Sequence, residues 1–198
     1  MPRTGLLIGI TGNIGVGKTF IGQILSKYGF ILYLLDNFAK ELLTTNILVK
    51  DRILKKFPEI FVDKIINKKI LRDKIFDNKK NLDIVEHIIH PHTLNKIIQL
   101  KNSARQQNRS IVIESALIFH KQRHNYFDII MKIDSAHRIR LQRVQKRSIT
   151  TKILNKIFQL QSTTSKNFAK SDFFIYNSSR LHTINLIKKI IHHVNQRN

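Results

Sequence analysis

Leu6-Leu7-Ile8-Gly9-Ile10 is a short unbroken apolar run that ends in a glycine-rich turn, the pattern of a strand buried in a parallel sheet. Phe20, Ile21, Ile24 and Leu25 then recur at helical spacing, and Gly29 stands where a helix C′ residue belongs. Residues Phe30 to Leu35 form a second apolar run, completing a strand, helix, strand unit that implies a right-handed crossover. From Asn37 to Ala104 the pattern is helical and charged. Ile53, Leu54 and Phe57 make one apolar face, and Leu71, Ile75 and Phe76 another. Ile88, Ile89, Leu94, Ile97 and Ile98 predict a third helix, bent or started near Pro91. A stretch this long between two strands exceeds a simple crossover and reads as a helical insertion at the sheet edge.

Ser110 to Glu114 reads as a third strand and Asp128 to Ile133 as a fourth. A basic helix is expected between Ala136 and Arg147, and another around Ile153, Ile157 and Leu160. Phe173 to Tyr176 reads as the last strand. Leu186, Ile187, Ile190, Ile191 and Val194 mark the apolar stripe of a C-terminal helix. The expected fold class is α/β, a parallel sheet wrapped by helices.

Composition narrows the functional classes. The chain has 198 residues, 42% hydrophobic and 24% charged, which suits one domain with a core. Cysteine is absent, excluding disulfides, thiolate metal sites and a cysteine nucleophile. No apolar run approaches the roughly 18 residues of a membrane span, and the N-terminus lacks the pattern of a signal peptide, so a cytoplasmic location is expected. The 7 glycines all lie between Gly5 and Gly29. Ile, Lys and Asn dominate the remainder, a drift that an A+T-rich coding sequence would produce. The formal charge of +22 shares that origin in part. The aromatics of the basic C-terminal half fall in apolar patterns, so no specific nucleic-acid partner is expected. The basic field would instead attract polyanionic small molecules.

The retained glycines carry chemistry. Gly12-Asn13-Ile14-Gly15-Val16-Gly17-Lys18-Thr19 fits G-x-x-x-x-G-K-[ST], the phosphate-binding P-loop, and lies between a strand and a helix as that motif requires. Backbone N–H groups of residues 12–19 would curl around phosphate oxygens at the positive end of the following helix. Lys18 would reach the β- and γ-phosphates and Thr19 would ligate Mg²⁺. A nucleoside triphosphate and Mg²⁺ follow. At this length a small-molecule kinase is favoured over a motor. Asp36, at the C-terminal end of the second strand, is the leading base for an acceptor hydroxyl, with a helix N-cap as its structural alternative.

Several segments together resemble one family. Gly9 to Thr19 resembles the opening of the dephospho-CoA kinases. Asp36-Asn37-Phe38-Ala39-Lys40 is similar to the end of their D-A-D-x-x-A-R segment, Leu71 to Phe76 to L-R-x-x-I-F, and Ile88-Ile89-His90-Pro91 to a hydrophobic pair before His-Pro. Glu114 to Phe119 resembles D-x-P-L-L-F, and Leu141 to Arg147 the family's Q-L-x-R-x-x-x-R helix. The likeness runs from residue 6 to about 177. It implies a single P-loop NTPase-type kinase domain over residues 1–198, with a helical acceptor-binding insertion at 37–104 and a short lid near 144–165. It implies transfer of phosphate from ATP to the ribose 3′-hydroxyl of dephospho-coenzyme A, by a monomer or weak homo-oligomer. Asp36 would be the catalytic base, Lys18 and Arg143 would stabilise the transferring phosphoryl group, and Arg147 would bind ATP at the lid. Thr19 and, through water, Glu114 would hold Mg²⁺. Another P-loop nucleoside or nucleotide kinase, or an inactive nucleotide-binding relative, are the alternatives.

The chain departs from the family pattern in places. Leu34 stands where the first aspartate of D-A-D would be. Asn13 replaces a glycine, which left-handed dihedrals would accommodate. Glu114 replaces aspartate, Ala116 the proline and His120 the acid that closes that segment. Thr164 and Asn167 stand where arginines are usual. His90 is expected to pack a turn, and the nine histidines show no zinc spacing. The retained set of Lys18, Thr19, Asp36 and Arg143 predicts activity, slowed by a weakened lid.

Overall fold

The computed structural model describes residues 5–62, 65–145, 154, 157 and 170–196. Five parallel strands form the main sheet: β1 (Leu7–Thr11), β2 (Ile31–Leu34), β5 (Ile111–Glu114), β6 (Ile129–Asp134) and β7 (Phe173–Tyr176). Their spatial order is β2-β5-β1-β6-β7, which puts β1 at the centre. The chain leaves β1 for one edge, returns beside it as β5, then crosses to β6 on its other side. That reversal opens a crevice at the C-terminal end of β1, where open α/β sheets bind ligands.

Alternation along β1 divides the core. Ile8 and Ile10 face helix α1 (Lys18–Lys27) and the C-terminal helix α7 (Arg180–Gln196), packing with Ile21, Leu25, Met131 and Ile187. Leu7 faces the other way, toward Ile97, Ala104, Ile113 and Phe127. Gly9 lies on that second face, where a Cβ would stand 2.8 Å from Ile118 Cδ1. Gly29 ends α1 in the left-handed region at φ 91°, its N–H bonded to the Ser26 carbonyl, as its sequence position predicts.

Between β2 and β5 lie α2 (Leu35–Thr45), α3 (Ile47–Lys56), a 3₁₀ turn (Pro58–Ile60), α4 (Lys68–Asp77) and α5 (Lys79–Gln106). They enclose a third cluster that includes Leu42, Ile53, Phe57, Leu71, Val85 and Ile88. The asparagines serve here as helix N-caps. Asn46 accepts from Val49 N at 3.0 Å, Asn67 from Lys69 N and Ile70 N at 3.1 Å, and Asn78 from Lys80 N at 2.9 Å.

Three details differ from the sequence reading. The helix expected to bend or start near Pro91 instead runs unbroken through it for 28 residues, about 42 Å at 1.5 Å per residue. Val85 and Ile88 bury their side chains in the third cluster, and Ile97 and Ala104 in the sheet-side cluster, so burial at both ends outweighs the proline's missing hydrogen bond. A small antiparallel strand pair, β3 (Phe61–Val62) with β4 (Ile65–Ile66), has no counterpart in the pattern, because two-residue strands leave no periodicity to read. Asp36 is not an N-cap: Leu34 holds that position, and Asp36 lies in the first turn of α2. The basic helix is α6 (His137–Gln145). The stretch around Ile153 and Leu160 falls outside the described residues apart from 154 and 157. No helix among the described residues is long and apolar enough to cross a membrane.

Candidate active site

Three adjacent strands deliver the candidate residues. The P-loop follows β1, Glu114 ends β5, and Asp36 follows β2. The register sets Glu114 level with both Ile10 and Leu34. Leu34 therefore puts an apolar side chain on the strand position beside Glu114, where the family resemblance calls for a carboxylate.

The loop is built by positive φ at Gly12 (144°), Gly15 (81°) and Gly17 (95°). Asn13 does not adopt a positive φ, so the left-handed conformation invoked for it is not what admits asparagine there. At Gly17 a second constraint acts. A Cβ would come within 2.3 Å of Asn177 Nδ2. Lys18 folds back over the loop, its Nζ donating to the carbonyls of Gly12 at 2.9 Å and Asn13 at 3.3 Å. The Thr19 hydroxyl donates to Glu114 Oε1 at 3.0 Å.

Side chains from distant segments grip the loop's outward-facing carbonyls. Arg140 Nε donates to Ile14 O at 3.2 Å. Arg143 Nη1 donates to Gly15 O at 3.2 Å and Val16 O at 3.1 Å, and its Nη2 reaches Asn177 O at 3.5 Å. Asn177 Nδ2 donates to Val16 O at 2.8 Å, while its Oδ1 accepts from Thr183 Oγ1 of α7 at 3.0 Å. In a planar trans peptide the carbonyl and the following N–H point in opposite directions. Holding Ile14 O and Val16 O from outside thus turns the N–H groups of Gly15 and Gly17 toward the loop interior, where an anion would sit. Burial lowers the pKa of both arginines, opposed at Arg140 by the Asp134 carboxylate; both stay cationic near neutrality.

Asp36 is held by the turn after β5. Its Oδ1 accepts from Ser115 Oγ at 2.9 Å and its Oδ2 from Ala116 N at 3.4 Å. The second donor exists because residue 116 is alanine; proline at that position would have no N–H. Asp36 also lines a cavity of about 720 Å³ that opens among α2, α4 and α5. Its walls are largely Leu, Ile and Val. Lys40, Lys69, Arg72 and Arg123 bring positive charge to it, against Asp36 and Glu86.

The predicted residues 12–19, Asp36, Glu114 and Arg143 are thus gathered around one crevice. Arg147, with Thr164, Asn167 and nearly all of the expected lid, lies outside the described residues. His90 is partly buried on α5. Burial, with the nearby Arg123, lowers its pKa to about 4 and keeps it neutral. Sequence reasoning missed Arg140, Asn177 and Ser115. Arg140 stands one helical turn before Arg143, and Asn177 follows a strand end, so both carried a positional signal.

The family model described as dephospho-CoA kinase matches residues 6–183. The chain belongs to that family. A dephospho-CoA kinase of Rickettsia typhi is 31% identical over 186 residues, covering 93% of this chain and 94% of the relative. One from Fusobacterium nucleatum is 29% identical over 188 residues, covering 93% and 95%. The solved dephospho-CoA kinase of Campylobacter jejuni superposes with a TM-score of 0.71 over 97% of this chain and 98% of its own, at 24% identity, which shows the shared fold.

Proposed function

We propose that the protein phosphorylates the ribose 3′-hydroxyl of dephospho-coenzyme A with ATP, giving coenzyme A and ADP. One observation carries the residue assignment: Asp36 both lines the 720 Å³ cavity and sits, through Ser115 and Glu114, beside the phosphate loop. The cavity then takes the acceptor, and helices within 37–104 form the acceptor side. The P-loop N–H groups and Lys18 receive the triphosphate. The acceptor oxygen bonds to the γ-phosphorus as the bridge to the β-phosphate breaks. Asp36 takes the hydroxyl proton. Ser115 and the Ala116 N–H leave the carboxylate a restricted set of orientations, which favours one line of approach. Arg143 stabilises developing charge by its position against the loop, holding the backbone donors aimed and adding a positive charge beside them.

The Thr19 hydroxyl, with Glu114 acting through water, suits Mg²⁺. Among the described residues no group of three or more His, Asp or Glu could by itself hold a metal, and Mg²⁺ needs none, being bound by one or two protein oxygens plus phosphates. Once bound it would supply positive charge across the β- and γ-phosphates.

ADP release with ATP, Mg²⁺ and dephospho-coenzyme A, against a control without acceptor, tests the reaction. Acceptor-dependent release is expected. Asp36→Asn should then lower kcat by about 10²–10⁴ while ATP affinity stays within about twofold. Loss of ATP binding in that variant would contradict the role given to Asp36. Turnover confined to a nucleoside monophosphate would replace the acceptor.

A further inference from the structure

Arg123 is a charged cavity residue that lies outside the family motifs. Its side chain is 5% exposed, yet it lines the acceptor cavity. Arginine is rarely buried unless paired. Here Nε has no hydrogen-bond partner, and the guanidinium forms no ion pair among the described residues. Its compensation comes through space from Glu86 and Asp36. Glu86 Oε2 lies 3.1 Å from His120 Nδ1, without the geometry of a hydrogen bond. Asp36 is held by Ser115 and Ala116.

The backbone also departs from the ordinary to place this group. Arg123 belongs to the 3₁₀ segment His120–Tyr126, and the two residues before it are left-handed, Lys121 at φ 48° and Gln122 at φ 57°. Neither is glycine, and side chains with a Cβ adopt that region only at a cost in strain. Strain in the chain and desolvation of a charge thus converge on one guanidinium facing an apolar cavity. Asp36 already has two donors, and neither it nor Glu86 pairs directly with the guanidinium, so they do not balance them. A ligand carrying negative charge does.

We propose that Arg123 is an acceptor-binding residue that holds a phosphoryl oxygen of the molecule in the cavity, forming an anion subsite separate from the P-loop. The inference rests on reading the cavity as the acceptor pocket. The phosphoryl group belongs either to the diphosphate the acceptor brings or to the phosphate it gains. Both match a planar guanidinium, whose paired donors fit phosphate oxygens and gain strength in a low-dielectric wall. Arg72, Lys69 and Lys40 at the same cavity add a field of the same sign.

Calorimetric titration tests this, with the phosphate loop saturated by ADP. Three ligands are compared: dephospho-coenzyme A, coenzyme A and adenosine, which lacks every phosphoryl group. Arg123→Leu should weaken dephospho-coenzyme A by about tenfold or more, as expected for a lost charge-assisted hydrogen bond, and leave adenosine unchanged. Equal weakening of coenzyme A assigns the contact to the diphosphate; weakening of coenzyme A alone assigns it to the new phosphate. Unchanged affinity for both, or an equal loss that includes adenosine, overturns the proposal. Failure of the unmodified protein to bind dephospho-coenzyme A would overturn the acceptor reading as well. Arg123→Met serves the same comparison should the leucine variant not fold.

Discussion

Asn177→Ala isolates the device that aims the phosphate loop. The side chain is 1% exposed and joins two segments, donating to Val16 O at 2.8 Å and accepting from Thr183 Oγ1 at 3.0 Å. The losses differ at the two ends. Val16 O keeps the Arg143 donor at 3.1 Å, so that carbonyl remains satisfied. Thr183, itself fully buried, loses its acceptor. A net hydrogen bond contributes about 0.5–1.5 kcal/mol and an orphaned buried donor costs about 1–3, so a total near 2–4 kcal/mol is expected. For a chain of this size that lowers Tm by about 5–15 °C. Urea denaturation gives the free energy directly. Thr183→Val, which removes the orphaned hydroxyl, should recover part of the loss when added to Asn177→Ala. Separately, the KM for ATP should rise several-fold, because the peptide that aims the Gly17 N–H is then held from behind by Arg143 alone. A destabilisation below about 0.5 kcal/mol, or full additivity of the two substitutions, would refute the reasoning.

Two further outcomes follow from the same geometry. Gly17→Ala should abolish measurable ATP binding, since the new Cβ would meet Asn177 Nδ2 at 2.3 Å at a φ of 95°; nucleotide titration of the folded variant checks it. His90 has a folded pKa of about 4, below its ordinary 6.5, so the unfolded chain binds the proton first as pH falls. Stability present above pH 6.5 should therefore decline down to about pH 4, with no further decline from this group below it. Urea midpoints across that range should fall less steeply in His90→Gln, and an identical profile would contradict the assignment.

Much of the sheet and the loop was legible because the signals are local. β1 covers most of the apolar run Leu6–Ile10 and is followed by a motif whose glycines answer to their own dihedrals. The contacts that aim the loop were hidden for the opposite reason. Asn177 meets Val16 across 161 positions and Arg140 meets Ile14 across 126, and no periodicity encodes such meetings. Pro91 misled through a sound local rule that burial at both ends of α5 overrides. Arg123 left no trace in pattern at all, because its importance lies in the backbone before it and the cavity beyond it.

The confinement of glycine to Gly5–Gly29 has a consequence for the state the protein folds from. Each glycine replaced by a residue with a Cβ narrows the unfolded ensemble by about 0.4–1 kcal/mol where the native dihedrals permit. With 7 glycines where ordinary usage of about 7% gives twice as many, the unfolded chain is more restricted than its length implies. That restriction opposes the self-repulsion of a chain carrying +22, which acts on the compact state. The shortage of glycine beyond Gly29 thus removes some of the disorder that folding must overcome, in a chain that also carries a high positive charge.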